Sequence, residues 1–279
     1  MDNTRILSVE DLSVGYRNRL GRPPVQVVHD VSFEIMQGRT LGLVGESGSG
    51  KSTIGRAILG LAEPLGGKIV FDGLDITHLS RRQRRPLTRD IQVIFQDPYS
   101  SLNPAMQIED ILAEPLIAQG RSRRDSRARV RELLDAVHLP ADAARRLPNE
   151  FSGGQRQRVA IARSLATDPR LIVCDEPVSG LDLKTQARVL DLLIELQERT
   201  GVAYLFVSHD LNVIRHISHD VIVLLKGEVV ESGSARDVVL RPSHDYVRRL
   251  FMSSPVPDPD IQAERREAFL ALPAITAAG

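Results

Sequence analysis

Apolar positions along the chain follow two periods, and the points where one gives way to the other divide it into elements. Residues 6–16 and 27–36 place apolar or β-branched side chains at near-alternate positions and read as strands, joined by a polar Arg/Gly/Pro loop at 17–24. Thr40 to Val44 is a short apolar strand that runs straight into a glycine-rich turn. From Lys51 to Leu61 the period becomes helical, with Ile54, Ile58 and Leu61 on one face. Lys68 to Phe71 reads as a strand ending at the Asp72-Gly73 turn, and Ile91 to Phe95 as another.

Between about Ser80 and Phe151 strands become scarce and Arg, Leu and Ala dominate; Val130, Leu133, Leu134 and Val137 lie at helix spacing. This predicts a mostly helical subdomain inserted in an α/β core. Strand–helix alternation resumes at Leu171, with LIVCD, a helix over 184–199 buried through Val189, Leu192, Leu193 and Leu196, then AYLFVSH. Residues 221–233 predict a hairpin turning at Lys226-Gly227. The tail from Arg241 holds PSHDY and SSPVPDPD, whose prolines break regular structure. It reads as a short appended segment, and no internal repeat is present.

Composition narrows the class. The 279 residues are 42% hydrophobic and 26% charged, with 36 basic and 36 acidic side chains, so overall charge draws the chain toward neither nucleic acid nor an acidic surface. One cysteine, Cys174, leaves no internal disulfide and no Cys-ligated zinc or iron–sulfur site, and it reads as a small buried hydrophobe. No run approaches the ~18 apolar residues that cross a bilayer. The opening MDNTRILSVEDL lacks a secretory layout, so a cytoplasmic chain is expected, one that could still dock on a membrane protein.

Two motifs carry phosphate chemistry. Gly45-Glu46-Ser47-Gly48-Ser49-Gly50-Lys51-Ser52 matches the phosphate-binding loop in full. Its glycines let successive backbone N–H groups turn inward at the positive end of the following helix. Lys51 suits the charge between β- and γ-phosphates, and the Ser52 hydroxyl suits Mg²⁺. Leu171 to Glu176 is an apolar strand ending in two acids. Asp175 is placed to order Mg²⁺ directly or through water, and Glu176 to orient or deprotonate an attacking water.

Phe151-Ser152-Gly153-Gly154-Gln155 adds a capped helix start, running on through Arg163, as a second anion site in the chain. This pentapeptide resembles the signature of the ABC ATPases, with Phe at 151 where many members have Leu. The resemblance covers roughly residues 5–260. It implies an α/β fold: a P-loop NTPase (RecA-like) core over 1–95 and 165–240, opening with an antiparallel β subdomain. A helical signature subdomain at 96–164 and a carboxyl-terminal extension at 241–279 complete it. It also implies ATP and Mg²⁺ as ligands, ATP hydrolysis as the reaction, and head-to-tail pairing that brings Ser152, Gly153, Gly154 and Gln155 to a partner's nucleotide. By the same resemblance Thr53 joins the phosphate loop, and Gln96 is the glutamine that senses Mg²⁺ and the membrane partner. Ser179 to Asp182 form the loop crossing the dimer interface, His209 is the switch histidine on the γ-phosphate, and Tyr16 stacks on adenine.

Phe95 to Pro104, His244-Asp245-Tyr246, Arg248 and the prolines of 255–259 resemble the ATPases of peptide and nickel importers. Those pair two ATPase chains, one commonly with a cysteine cluster in its tail. Lacking cysteines there, this chain resembles the other, dipeptide/oligopeptide type. Implied partners are a second homologous ATPase chain (a second copy if there is none), two integral membrane permease subunits and an extracytoplasmic substrate-binding protein, but no nucleic acid. The implied location is peripheral, on the cytoplasmic face of the inner membrane. The alternative is a non-transport ABC ATPase working on nucleic acid or ribosomes. Arginines 81–85 and 121–131 read as solvated helix faces, salt bridges or contacts with a membrane partner, and His216 with His219 as neighbours on one helix face without a third metal ligand.

Overall fold

The computed structural model describes residues 4–16, 24–97 and 101–253. Two sheets organise them. Strands β1 (Arg5–Tyr16), β2 (Val25–Met36), β4 (Pro64–Phe71) and β5 (Leu74–Asp75) form an antiparallel sheet in the order β2-β1-β4-β5. The second sheet runs β10-β9-β3-β8-β7-β6. Its strands are β3 (Thr40–Val44), β6 (Ile91–Ile94), β7 (Leu171–Asp175), β8 (Ala203–Ser208), β9 (Asp220–Leu225) and β10 (Glu228–Ser234), parallel except for the β9–β10 hairpin.

The parallel strands are continuous apolar runs because both of their faces are covered. Leu171, Val173, Ala203, Leu205 and Val207 enter one apolar cluster with the antiparallel sheet and α1 (Lys51–Ile58). Their neighbours Ile172, Cys174, Tyr204 and Phe206 enter another, beneath the helices. The helices after α1 are α2 (Arg81–Arg84), α3 (Ile108–Ala118), α4 (Arg123–Ala136), α5 (Gly153–Leu165), α6 (Leu183–Thr200), α7 (Leu211–Ile217), α8 (Ala235–Leu240) and α9 (Asp245–Ser253), and all of these but α2, which buries no side chain, contribute to that second cluster. Ile111, Leu116, Val130 and Leu134 of the inserted helices belong to the same cluster as β7 and α6, so the insert is fused to the core through a shared interior.

Several expectations are corrected. Helix α1 stops at Ile58, its end closed by Leu59 and Gly60 donating back to Gly55 and Ala57, which leaves Leu61 64% exposed. Strand β4 begins four residues before Lys68, because Pro64 and Gly66 pair with Val14 and Ser13. His219 lies outside α7: its Nδ1 accepts the Thr40 N–H at 3.0 Å, tying the start of β9 to β3. Arg84 turns inward from its cluster to donate to the Ile58 carbonyl at 2.7 Å and to that of Ile76. Part of the tail is ordered as α9, while the prolines of 255–259 lie outside the described residues, as do Met1 to Asn3, most of the 17–24 loop and Pro98-Tyr99-Ser100.

Candidate functional site

The strand order delivers the chemistry to one edge. β3, β8, β7 and β6 are neighbours with matched ends: Val44 pairs with Ser208, Asp175 with Val207, and Ile94 with Cys174. The segments that follow these ends therefore meet where loops of open parallel sheets bind ligands.

After β3 the chain turns at Gly45, where an added Cβ would stand 2.2 Å from the Leu224 carbonyl oxygen, so no side chain fits. The loop closes with Ser49 N–H donating to the Glu46 carbonyl at 3.2 Å. It is supported from below by the β9–β10 turn, whose Gly227 N–H donates to the Ser49 carbonyl at 3.2 Å. Helix α1 starts from Gly50 with no side chain capping it, so its first N–H groups remain available to an anion. Lys51, 5% exposed, donates through Nζ to the carbonyls of Gly45 and Glu46, both at 2.7 Å. Burial holds its pKa below the usual lysine value, with Glu176, Asp175 and Glu46 opposing that shift.

Ser52 donates to Asp175 Oδ1 at 2.7 Å. Glu176 follows at a positive φ of 50°, a strained conformation for a residue with a side chain. The surroundings hold it there: its N–H donates to Val207, and Ser179 donates to its carbonyl through N–H and Oγ at 3.1 and 2.9 Å. Its carboxylate lies 3.2 Å from His209 Nδ1.

Glu46, Ser47, Gly48, Gly50, Lys51, Ser52, Thr53, Gln96, Glu176 and His209 line one cavity of about 850 Å³. Tyr16 is not one of its walls but touches one: the residue is 43% exposed and its hydroxyl is 3.1 Å from Thr53 Oγ1. The Ser52–Asp175 pair with Gln96 is a hard-oxygen donor set, the chemistry that suits Mg²⁺.

Ser152 to Gln155 and Asp182 are not among the cavity's walls. Ser152 caps α5 reciprocally with Gln155, at 3.4 and 3.0 Å. Asp182 caps α6 by accepting from Thr185 N and Oγ1 at 3.0 and 2.6 Å, and these bonds hold its carboxyl below the usual range. The two helix starts touch. A Cβ on Gly154 would lie 2.3 Å from Thr185 Cγ2. Phe151 is buried with the Arg146 guanidinium 5.9 Å over its ring, a packing role.

Comparison with known proteins fits this geometry. The family described as ABC transporter matches residues 28–179. The chain belongs to that family. Relatives within it include the oligopeptide transport ATP-binding protein OppD of Mycobacterium tuberculosis, 52% identical over 84% of this chain and 38% of its own length. A protein of Brucella ovis described as a candidate peptide import ATP-binding protein is 48% identical over 95% of this chain and 84% of its own. The glutathione import ATP-binding protein GsiA of Shigella boydii is 49% identical, over 91% and 41% respectively. This chain thus spans less than half the length of two of these relatives and most of the third. Among solved structures, cbiO1 of Clostridium perfringens, part of the ABC transporter complex cbiONQ, superposes with a TM-score of 0.77 at 27% identity, covering 88% of this chain and 94% of that one. The cassette MJ0796, in a dimeric post-hydrolysis state bound to ADP and Pi, gives 0.73 at 32% identity, covering 83% and 99%.

Within this ABC cassette, sequence reading misses Val27, Asp210 and Leu250 as cavity walls, and Tyr246, whose hydroxyl accepts the Glu46 N–H at 2.9 Å. Asp210 carried a local signal as the cap of α7. The others lie on a distant strand or in the tail, and their role depends on tertiary packing.

Proposed function

We propose that this chain is the ATP-hydrolysing subunit of an ABC importer that takes up a peptide-like solute. One observation carries the reading. A phosphate loop with a buried lysine, the Ser52–Asp175 pair and the Glu176–His209 pair converge on one cavity, while the Ser152 helix start lies elsewhere on the same chain. The names of the relatives support the transport assignment and the class of solute.

In this reading the loop N–H groups and the start of α1 hold the phosphates, and Lys51 balances charge between the β- and γ-groups. Tyr16 is the platform for adenine. Ser52, Gln96 and Asp175 would hold Mg²⁺, which supplies charge neutralisation at the phosphates. Glu176 orients a water and accepts its proton as oxygen attacks the γ-phosphorus; the bond to the β–γ bridging oxygen breaks, leaving ADP and phosphate. His209, 3.2 Å from Glu176, steadies the γ-phosphate. The division into a core over 1–95 and 165–240, a signature subdomain over 96–164 and an extension from 241 belongs to the same proposal, as do the two permeases, the second ATPase chain, the binding protein and the cytoplasmic face of the inner membrane. Among the described residues no helix is long and apolar enough to cross a membrane.

Two cassettes pair head to tail, so that Ser152, Gly153, Gly154, Gln155 and Asp182 of one close the site of the other. Ser152→Arg tests this. Nucleotide binding to the variant chain stays at the wild-type level, while hydrolysis at the site completed by its Ser152 is lost. Wild-type turnover in the variant dimer would disprove the trans arrangement.

A further inference from the structure

We propose that helix α9 is a working part of the nucleotide site, with Tyr246 as a positioning residue that sets the phosphate loop and, through it, Lys51. The proposal rests on reading the cavity as an ATP site and adds to it a segment of the tail.

The start of α9 is fixed to the core. Glu231, on β10, accepts the backbone N–H groups of Ser243 and His244 at 2.8 and 2.9 Å. The His244 ring accepts the Tyr246 N–H at 3.1 Å, and Arg248 ties back to Pro242 and Asp245 at 3.1 and 2.9 Å. Tyr246, 1% exposed, and Val247 then turn into the apolar cluster that also holds Val223, Ala235 and Val238. Four residues on, Leu250 forms part of the cavity wall.

From that fixed base the Tyr246 hydroxyl meets one peptide unit of the loop. The Gly45–Glu46 peptide is trans, so its C=O and N–H lie in one plane and point in opposite directions. Its N–H donates to Tyr246 Oη at 2.9 Å, and its carbonyl accepts from Lys51 Nζ at 2.7 Å. A rigid plate thus stands between the tail and the lysine, gripped on both sides. The next carbonyl, that of Glu46, also accepts from Lys51 at 2.7 Å. Rotation of the plate would move the Gly45 acceptor directly and the adjoining Glu46 carbonyl through the chain, the two shorter of the three bonds that aim the ammonium group, the third going to Ser49 Oγ at 3.4 Å. The Tyr246 hydroxyl, 200 positions along the chain, opposes such rotation from outside the loop. Burial pushes the phenol's pKa above its usual value, so the hydroxyl stays neutral and keeps accepting across the working pH range.

The test compares Tyr246→Phe with wild type in the full chain, by steady-state ATP hydrolysis and by thermal unfolding. Phenylalanine keeps the ring in the core and deletes the acceptor. The proposal predicts a KM for ATP raised about three- to tenfold, the range of one lost hydrogen bond, with kcat within about twofold and the unfolding midpoint lowered by no more than about 3 °C. A lowered midpoint with an unchanged KM would mean that Tyr246 only packs, and would overturn the proposal. So would a KM and midpoint both equal to wild type. If the wild-type chain neither binds nor hydrolyses ATP, the nucleotide reading fails and takes this proposal with it. If wild type turns over and Tyr246→Phe matches it, the nucleotide reading stands and the role of α9 falls.

Discussion

Glu176 shows how an ordinary side chain is given a special task by its backbone. The left-handed φ of 50° costs on the order of 1 kcal/mol and persists because three hydrogen bonds, to Val207 and from Ser179, define it. The Glu176 carboxylate lines the cavity beside His209, while that of the preceding Asp175 accepts from Ser52. Glu176→Gln keeps size and hydrogen bonding but removes the base. We expect kcat to fall by about two orders of magnitude or more, with ATP still bound and the paired cassettes trapped closed. Phosphate release and size-exclusion chromatography with ATP check both, and unaltered turnover would remove Glu176 as the base. At this scale, residues whose task is local were legible: the loop glycines, Lys51, Ser52 and the two acids announce themselves by type and spacing. Residues whose partner is far along the chain were not. Arg84 reads as part of a solvated helix face and His219 as a helix-face neighbour of His216, yet Arg84 donates to the Ile58 carbonyl and His219 accepts the Thr40 N–H. Tyr246 stood out only by resemblance, with its partner 200 positions away.

At the scale of elements, hydrophobic period located every strand but the two-residue β5 and the helices α1, α4 and α6, because burial on one face or two leaves a repeating mark. It did not locate α2, α3, α8 or α9, and it missed ends. Leu61 continues the helical spacing of Ile54 and Ile58, yet the helix closes before it, and spacing alone does not register a backbone cap. The contact between α5 and α6 was equally hidden. Gly154 brings the signature helix against Thr185, whose hydroxyl is engaged by Asp182 and whose methyl therefore points at the glycine. Gly154→Ala should overpack this contact and destabilise the chain by about 1–3 kcal/mol, lowering the unfolding midpoint by roughly 3–10 °C. Thr185→Ser keeps the cap and deletes the methyl, so the double variant should recover most of the loss. Calorimetry checks it; a double variant as unstable as the single one would show that the strain lies elsewhere.

For the molecule as a whole, fold class was legible because two phosphate-related motifs and a signature constrain the topology far more than period does. The strand order β10-β9-β3-β8-β7-β6 explains why motifs separated by more than a hundred residues share one edge. The same topology leaves the Ser152 helix start away from the cavity of its own chain, which is the physical basis for expecting a partner. Assembly is tested by affinity purification of the full chain from mildly solubilised native membranes, with its companions identified by mass spectrometry. We expect two integral membrane subunits and a second cassette chain (or a second copy of this one), with a binding protein whose bound ligand identifies the solute. Recovery with ribosomes or nucleic-acid proteins, and without membrane subunits, would contradict that expectation.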